Sequence, residues 1–236
     1  MAGAAGARIL VVNPNSSAPC SAGIGAAVAG FRRTEGPRIE VVTVTDGPPG
    51  IYSWRDWHAA VGPLCRVVAR ETADVFVVAC ASDPGIAAVR EVTGQPVLGV
   101  FGCAVASAVV RAERFGVIAL VDASVARHAL ALRGMGVEGR LAGEIAMNTT
   151  IEALLDPQAT RAALVAAGRA LVARGAGAVI LGCTGMAGHR GAVEAAIGVP
   201  VIEPCQAAVA QAIGIVVAES PPATTSPAAR GDRAAG

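Results

Sequence analysis

The 236-residue chain contains no lysine, because all 19 of its basic residues are arginine. This absence excludes a lysine Schiff base to pyridoxal phosphate and the lysine-bearing phosphate loop of nucleotide hydrolases. Aromatic residues make up only 3% of the chain, and the formal net charge is +1. With so few rings for base stacking and so little excess positive charge, the composition predicts no nucleic-acid partner.

Long apolar runs and metal-ligand patterns are also missing. No apolar segment reaches the roughly 18 residues that a membrane helix needs, and the N-terminal residues do not have the pattern of a secretory signal. We therefore expect no membrane partner and a cytoplasmic location, where the six cysteines are free thiols. There is no C-x-x-C, and the three histidines lie at no metal-ligand spacing, so we expect no metal site.

Short apolar runs do alternate with alanine-rich helical stretches along the chain. The pattern predicts eight strands, at 8–12, 39–44, 75–79, 97–100, 116–121, 139–145, 178–181 and 199–202. Strands that are apolar throughout and alternate with helices indicate an α/β fold with parallel sheets covered on both faces. In such sheets, ligands bind beyond the carboxyl ends of the strands.

Two segments of the chain match each other, 74–91 and 177–194. Each is an apolar run that ends in a cysteine and is followed by small or hydroxyl residues, a glycine-bearing turn and a helix start. Cys80 precedes Pro96 by 16 residues, and Cys183 precedes Pro200 by 17. This duplication predicts two pseudo-symmetric lobes, 1–104 and 105–204, with a C-terminal helix at 205–218 completing the first lobe. The Pro/Ala/Thr-rich tail, 219–236, is predicted to be disordered.

Cys80 and Cys183 both fall at predicted strand ends, so the two thiols can face each other across the cleft between the lobes. One thiolate then removes a proton from a substrate while the opposite thiol returns one to the other face. Each cysteine precedes a predicted helix start, and we expect backbone N–H groups and the helix dipole to lower its pKa. Two facing thiols should titrate as one coupled unit. The other cysteines, Cys20, Cys65, Cys103 and Cys205, are interpreted as small buried apolar residues.

Five motifs, taken in order, resemble the aspartate/glutamate/hydantoin racemase superfamily, and most closely its hydantoin racemase branch, which includes allantoin racemases. They are Asn13-Pro14-Asn15-Ser16-Ser17, Ala79-Cys80-Ala81-Ser82-Asp83-Pro84-Gly85, Arg90-Glu91, Pro96-Val97-Leu98-Gly99-Val100 and Leu181-Gly182-Cys183-Thr184-Gly185-Met186. Each motif alone is weak, but the ordered set spans roughly 8–212 and is specific to the superfamily.

The resemblance implies two flavodoxin-like lobes, each with a parallel four-stranded sheet flanked by helices, and an active site in the cleft between them. It implies a cofactor-independent isomerase in which Cys80 and Cys183 are the two catalytic bases. The substrate would be a small molecule, a cyclic ureide or an amino-acid derivative, and the enzyme a homo-oligomer. The matched substrate-binding positions are Asn15, Ser16, Ser82, Asp83, Thr184 and Gly185.

Two stretches affect the choice of substrate. Hydantoin racemases usually carry threonines where this chain has Ile118-Ala119-Leu120-Val121-Asp122, and this departure predicts a substrate other than a simple 5-alkyl hydantoin. The aromatic segment from Tyr52 to Trp57 lies where the family shapes its side-chain pocket, although ordinary packing between elements explains it equally well. Asn13–Ser17 also fits a turn with a helix N-cap, and Asp83 fits a helix cap before Pro84.

Other functions remain open at this point. An aspartate or glutamate racemase would need a clamp for the substrate carboxylate and ammonium, and no dedicated one is evident in these loops. A maleate-type cis–trans isomerase would also use two cysteines, but would add one thiolate to an alkene carbon. A small-molecule-binding or thiol-regulated protein on the same scaffold would bind a ligand without turnover. A disulfide between Cys80 and Cys183 would require Cα atoms within about 7 Å.

Overall fold

The computed structural model describes residues 6–219 and shows two four-stranded, all-parallel sheets. The first sheet has the order β2-β1-β3-β4, and the second has the matching order β6-β5-β7-β8. The strands are β1 Arg8–Asn13, β2 Arg38–Thr43, β3 Val75–Val78, β4 Val97–Gly99, β5 Phe115–Ala119, β6 Leu141–Ala146, β7 Ala178–Gly182 and β8 Val201–Ile202. The α/β class with two similar helix-flanked sheets, predicted from the duplication, is confirmed.

Helices connect successive strands and cover both faces of each sheet. They are α1 Ala18–Val28, α2 Trp54–Ala59, α3 Val61–Arg70, α4 Ile86–Glu91, α5 Val100–Val109, α6 Asp122–Gly134, α7 Pro157–Ala173, α8 Arg190–Ile197 and α9 Pro204–Glu219. In these described residues, no helix has the length and apolar character needed to span a membrane. Residues 54–70 form two successive helices. Ser53 forms a capping box with Asp56 and starts α2, and α2 ends before α3 begins at Val61.

The last helix of each half lies between the two sheets. One face of α5, with Val100 and Cys103, packs on the first sheet together with α9. Its other face, with Phe101 and Val105, packs on β5 and β7 of the second sheet. The predicted boundary between residues 104 and 105 therefore falls inside α5. The predicted disordered tail lies almost entirely outside the described residues, which end at Glu219 within α9.

The strand order places four loops of interest at equivalent points of the two sheets. In each sheet the chain changes direction of winding between its two central strands, β1 and β3 in the first sheet and β5 and β7 in the second. Ligands bind at such switch points, beyond the carboxyl ends of the strands. The loops that leave these four strands carry Asn15, Cys80, Leu120 and Cys183.

Candidate active site

Cys80 and Cys183 line one pocket, which is built from the loops after β1, β3, β5 and β7. Both thiols are half-buried, so a molecule in the pocket can contact them. The polar side chains that share this pocket with the two cysteines are Asn15, Cys20, Ser82, Ser124, His128 and Thr184. The pocket thus contains hydroxyl and amide groups together with the two thiols.

A tight turn holds the Cys80 thiol at the end of β3. The backbone N–H of Asp83 donates to the Cys80 carbonyl over 2.9 Å, and Asp83 has a φ of 46°, an uncommon conformation for a residue other than glycine. The Ser82 hydroxyl lies 3.5 Å from Cys80 Sγ. The Trp57 indole donates to the Ser82 carbonyl over 2.9 Å, which ties α2 to this turn. The turn therefore fixes both Cys80 and the hydroxyl beside it.

Close contact between β5 and β7 positions Cys183. A Cβ added at Gly182 would lie 2.6 Å from the Ile118 carbonyl oxygen, so only glycine fits there without moving a strand. Cys183 then precedes a 3₁₀ helix, Thr184–His189, and its carbonyl accepts from the Met186 N–H over 3.0 Å. Both cysteines are thus held by backbone geometry at strand ends.

The environment raises the pKa of both catalytic candidates. Burial raises the pKa of Cys80, against opposing hydrogen bonds from Ser82. Burial raises the pKa of Cys183 to about 12, against a hydrogen bond from the Gly185 N–H. The expected lowering by helix N-termini is wrong, because α4 begins only at Ile86 and Cys183 is followed by a 3₁₀ turn. Desolvation of the thiolate outweighs the few donors that reach each sulfur.

The loop after β1 is an internally bonded turn with one pocket-facing member. The buried Asn13 amide donates to Asn15 Oδ1 over 3.0 Å and to the Ser17 carbonyl over 3.2 Å. Ser17 caps α1 by accepting from the Cys20 N–H. Asn15 lines the pocket, whereas Ser16 is not one of its lining residues. This loop therefore forms a turn with a helix N-cap, as one interpretation predicted, and it also contributes Asn15 to the pocket.

Of the other four predicted binding residues, two line the pocket and two do not. Ser82 and Thr184 line the pocket with the cysteines. Gly185 stands beside Cys183, where a Cβ would lie 3.6 Å from Sγ, but it does not line the pocket. Asp83 lies outside the pocket too, since its carboxylate accepts from the backbone N–H groups of Phe101 and Gly102 at 2.9 and 2.8 Å. It caps α5 rather than the helix that follows Pro84, and burial raises its pKa to about 6.

Sequence reasoning missed His128, which links α6 to the Cys80 turn. Its Nε2 lies 2.8 Å from the Ala81 carbonyl oxygen, and its Nδ1 lies 2.5 Å from Glu144 Oε1. The ring stacks on Phe101 at a centroid distance of 4.3 Å. Because a carbonyl only accepts, Nε2 carries a hydrogen and donates to Ala81. These partners lie far apart in the chain, and no local pattern connects them.

Cys20 and Ser124 were missed as well, although a weak signal existed for the first. Cys20 follows the Asn13–Ser17 loop directly and lies in the first turn of α1, so it reaches the same pocket. Ser124 comes from α6 in the second half.

Within residues 6–219, no group of three or more His, Cys, Asp or Glu side chains is arranged to hold a metal ion.

Comparison with known proteins gives a consistent result. The model of the Asp/Glu/Hydantoin racemase family matches residues 9–212. The hydantoin racemase of Paenarthrobacter aurescens is 33% identical over 208 residues, which cover 85% of this chain and 87% of that protein. The allantoin racemase structure from Klebsiella pneumoniae superimposes with a TM-score of 0.81 at 29% identity, covering 90% of this chain and 88% of that one. The allantoin racemase from Pseudomonas fluorescens gives a TM-score of 0.82 at 26% identity, covering 89% and 91%.

Proposed function

Because this chain belongs to the Asp/Glu/hydantoin racemase family and is a racemase, we propose that it interconverts the enantiomers of 5-substituted hydantoins or of allantoin. The proposed reaction needs no cofactor. Cys80 and Cys183 act as the two bases, each serving one enantiomer. The observation that carries the proposal is the placement of these two thiols at matching strand ends of two matching sheets, in the wall of one pocket.

The chemistry starts from a C–H bond next to a ring carbonyl. One cysteine, as thiolate, removes this proton and leaves an enolate-like anion. The other cysteine, as thiol, protonates the same carbon from the opposite face. The Ser82 hydroxyl lies 3.5 Å from Cys80 Sγ, and Thr184 follows Cys183 and lines the same pocket, so both can bind the oxygen on which the negative charge develops. After each turnover the two sulfurs have exchanged protonation states, so the reverse reaction can follow directly.

The lining of the pocket favours a neutral ring over a free amino acid. Among the residues that the structure describes, no arginine lines this pocket, and apart from the thiols its one ionisable side chain is His128. Both ring nitrogens of His128 are already engaged, by Glu144 and by the Ala81 carbonyl. A free aspartate or glutamate would place its α-carboxylate in this pocket without a cation to bind it, whereas a cyclic ureide needs only polar neutral partners.

Deuterium exchange with single enantiomers tests the proposal. Each enantiomer of allantoin and of 5-benzylhydantoin is incubated in D₂O, and optical rotation and C5 deuteration are followed for wild type, Cys80→Ser and Cys183→Ser. Wild type should racemise at least one of the two compounds, and both variants should lose racemisation. Residual exchange of one enantiomer in a variant would assign the remaining sulfur to that enantiomer. Cys65→Ser, in α3 and outside the pocket, is the matched control and should behave like wild type.

Two results would contradict the proposal. Full activity in either cysteine variant would show that the two-base assignment is wrong. A covalent adduct on one cysteine, seen by mass spectrometry after incubation with maleate, together with inactivity on every hydantoin, would favour the cis–trans isomerase. The homo-oligomer and the cytoplasmic location expected from the sequence stay predictions, and light scattering of the purified protein tests the first.

A further inference from the structure

A second cavity, of about 410 Å³, adjoins the active site and shares Ser82 with it. We call it the side groove. Its walls come from both halves of the molecule, with apolar surface from Trp54, Trp57, Ile86, Leu98, Leu130 and Met135. Three of these side chains are large and exposed, namely Trp54, Leu130 and Met135. The side groove is thus an open, mainly apolar channel beside the Cys80 turn.

One charged side chain in the side groove has unused hydrogen-bonding capacity. Arg127 of α6 is 4% exposed and lines the groove, and its guanidinium lies 5.8 Å from the Trp54 ring. Nη2 donates to Ser124 Oγ over 3.1 Å. Within the described residues, Nε and Nη1 are buried and have no hydrogen-bond partner. An arginine stays protonated in proteins, so a buried positive charge here lacks an anion.

The nearby charges do not supply that anion. Asp83 lines the side groove, but its two carboxylate oxygens accept from Phe101 and Gly102 at the start of α5. Arg90 also lines the groove, and its Nη2 donates to the Val97 carbonyl over 3.0 Å. The Asp56 carboxylate attracts the positive charge of Arg127 but forms no hydrogen bond with its Nε or Nη1. With two arginines and one occupied carboxylate, the side groove is positively charged and suited to an incoming carboxylate.

Contacts between the side groove and the active site indicate that this carboxylate belongs to the substrate. Ser82 lines both cavities and its hydroxyl lies 3.5 Å from Cys80 Sγ. Ser124, which accepts from Arg127, lines the active-site pocket. A substituent leaving the ring beside Cys80 therefore has an apolar path that reaches a cation.

We propose that the side groove receives the C5 substituent of the hydantoin and that Arg127 binds a carboxylate at the end of that substituent. This inference rests on the proposed function and specifies its substrate class as hydantoins with an acidic side chain. The apolar walls accommodate the methylene groups, and the guanidinium selects the terminal charge. Nε and Nη1 have no partner, and either of them can donate a charge-assisted hydrogen bond to one oxygen of the carboxylate.

The test compares substrates that differ only in the terminal charge. The kcat/KM for C5 deuterium exchange is measured for 5-(2-carboxyethyl)hydantoin and for its neutral isostere 5-(3-methylbutyl)hydantoin. The enzymes are wild type, Arg127→Met, which keeps an apolar stem, and Arg127→Lys, which keeps a charge. Wild type should favour the acid. Arg127→Met should lower kcat/KM for the acid by about 10- to 100-fold, because it removes a charge-assisted hydrogen bond. The kcat/KM for the neutral substrate should stay within about threefold of wild type. Arg127→Lys should recover part of the loss.

The outcomes separate this inference from the proposed function. Equal wild-type activity on both compounds, or equal losses on both in Arg127→Met, would overturn the role of Arg127 while leaving the racemase intact. Loss of activity on both together with a smaller particle in light scattering would assign Arg127 to contact with a second copy of the chain. Absence of exchange with every hydantoin, including the neutral one, would overturn the proposed function itself.

Discussion

Asp83 and Glu203 bind equivalent backbone amides in the two halves of the molecule, although they occupy different positions in the duplicated sequence. Asp83 accepts from two N–H groups at the start of α5, at 2.9 and 2.8 Å. Glu203 accepts from two N–H groups at the start of α9, at 3.1 and 2.7 Å. When Pro96 is aligned with Pro200, these amide pairs coincide. Each half thus caps its last helix with a carboxylate, which also interacts favourably with the helix dipole.

The residue that matches Glu203 in the first half is Gly99, and the structure explains why it has no side chain. A Cβ on Gly99 would lie 2.3 Å from the Asp83 carboxyl carbon. We expect Gly99→Ala to displace that carboxylate and destabilise the protein by about 1–3 kcal/mol, as overpacking does. Urea unfolding followed by circular dichroism measures this. Gly23→Ala, in α1 with nothing within 4 Å of the added Cβ, should be neutral or stabilising.

The double variant Asp83→Ala/Gly99→Ala separates the clash from the lost cap. Asp83→Ala alone leaves two helix N–H groups without their acceptor and should cost about 1–3 kcal/mol. Asp83→Ala removes the atoms that a Gly99 Cβ would hit. The double variant should therefore lose clearly less unfolding free energy than the sum of the losses in the two single variants. Strict additivity would show that the two positions do not interact.

Gly182 is expected to control the position of Cys183. Because a Cβ at this position would meet the backbone of β5 at 2.6 Å, Gly182→Ala must push β7 away from β5 just before Cys183. A displacement of about 1 Å can cost about 100-fold in rate, so kcat should fall far more than the change in stability suggests. Gly191→Ala in α8, where the added Cβ meets nothing within 4 Å, is the control and should keep wild-type kcat. Equal kcat in both variants would contradict this.

The pair His128–Glu144 should be the most costly ionisable contact to break. The two side chains are 1% and 4% exposed and lie 2.5 Å apart. Removing one partner of such a buried pair costs about 3–5 kcal/mol, so Glu144→Gln should lower the free energy of unfolding by that order. Glu138→Gln breaks the exposed pair with Arg133 and should cost less than about 1 kcal/mol. Similar losses in both variants would show that His128 does not depend on Glu144.

His128 should also affect catalysis through Ala81. His128 lies in the second half, and its Nε2 donates to the Ala81 carbonyl, next to Cys80 in the first half. His128→Phe keeps a ring to stack on Phe101 but removes this hydrogen bond. We expect a lower kcat for the enantiomer that uses Cys80, with a smaller effect on the other. An equal loss for both enantiomers would indicate general destabilisation and not positioning of the Cys80 turn.

The sequence was sufficient for the strands and the cysteines because both depend on local patterns. All eight predicted strands occur, and the duplicated spacing placed Cys80 and Cys183 at matching strand ends. Contacts over long separations could not be read in this way, as with His128 and Ala81, which are 47 residues apart. The predicted lowering of the thiol pKa values was also wrong, because both are raised. It depends on how deeply each sulfur is buried, and burial follows from tertiary packing and not from a helix start in the sequence.

The raised thiol pKa values determine how the activity should depend on pH. The proposed two-base reaction needs one thiolate and one thiol, and burial raises the pKa of both sulfurs, that of Cys183 to about 12. Far below these values, the thiolate fraction increases tenfold for each pH unit. The kcat/KM for racemisation should therefore rise with a slope of about one on a logarithmic scale from pH 6 to 9, without a plateau. Because the sulfurs share one pocket, the first apparent pKa belongs to the pair.

Thiolate absorbance near 240 nm in the free enzyme, with Cys80→Ser/Cys183→Ser as the blank, tests the same point without substrate. A plateau of kcat/KM at pH 7–8 with matching absorbance would show that donors in the pocket lower the pKa values below those that burial sets. A rising profile with no absorbance below pH 9 would show instead that the enzyme works through a rare and strongly basic thiolate. Such a base is well matched to a weakly acidic C–H bond, since a higher pKa lowers the cost of the proton transfer while it reduces the fraction of active enzyme.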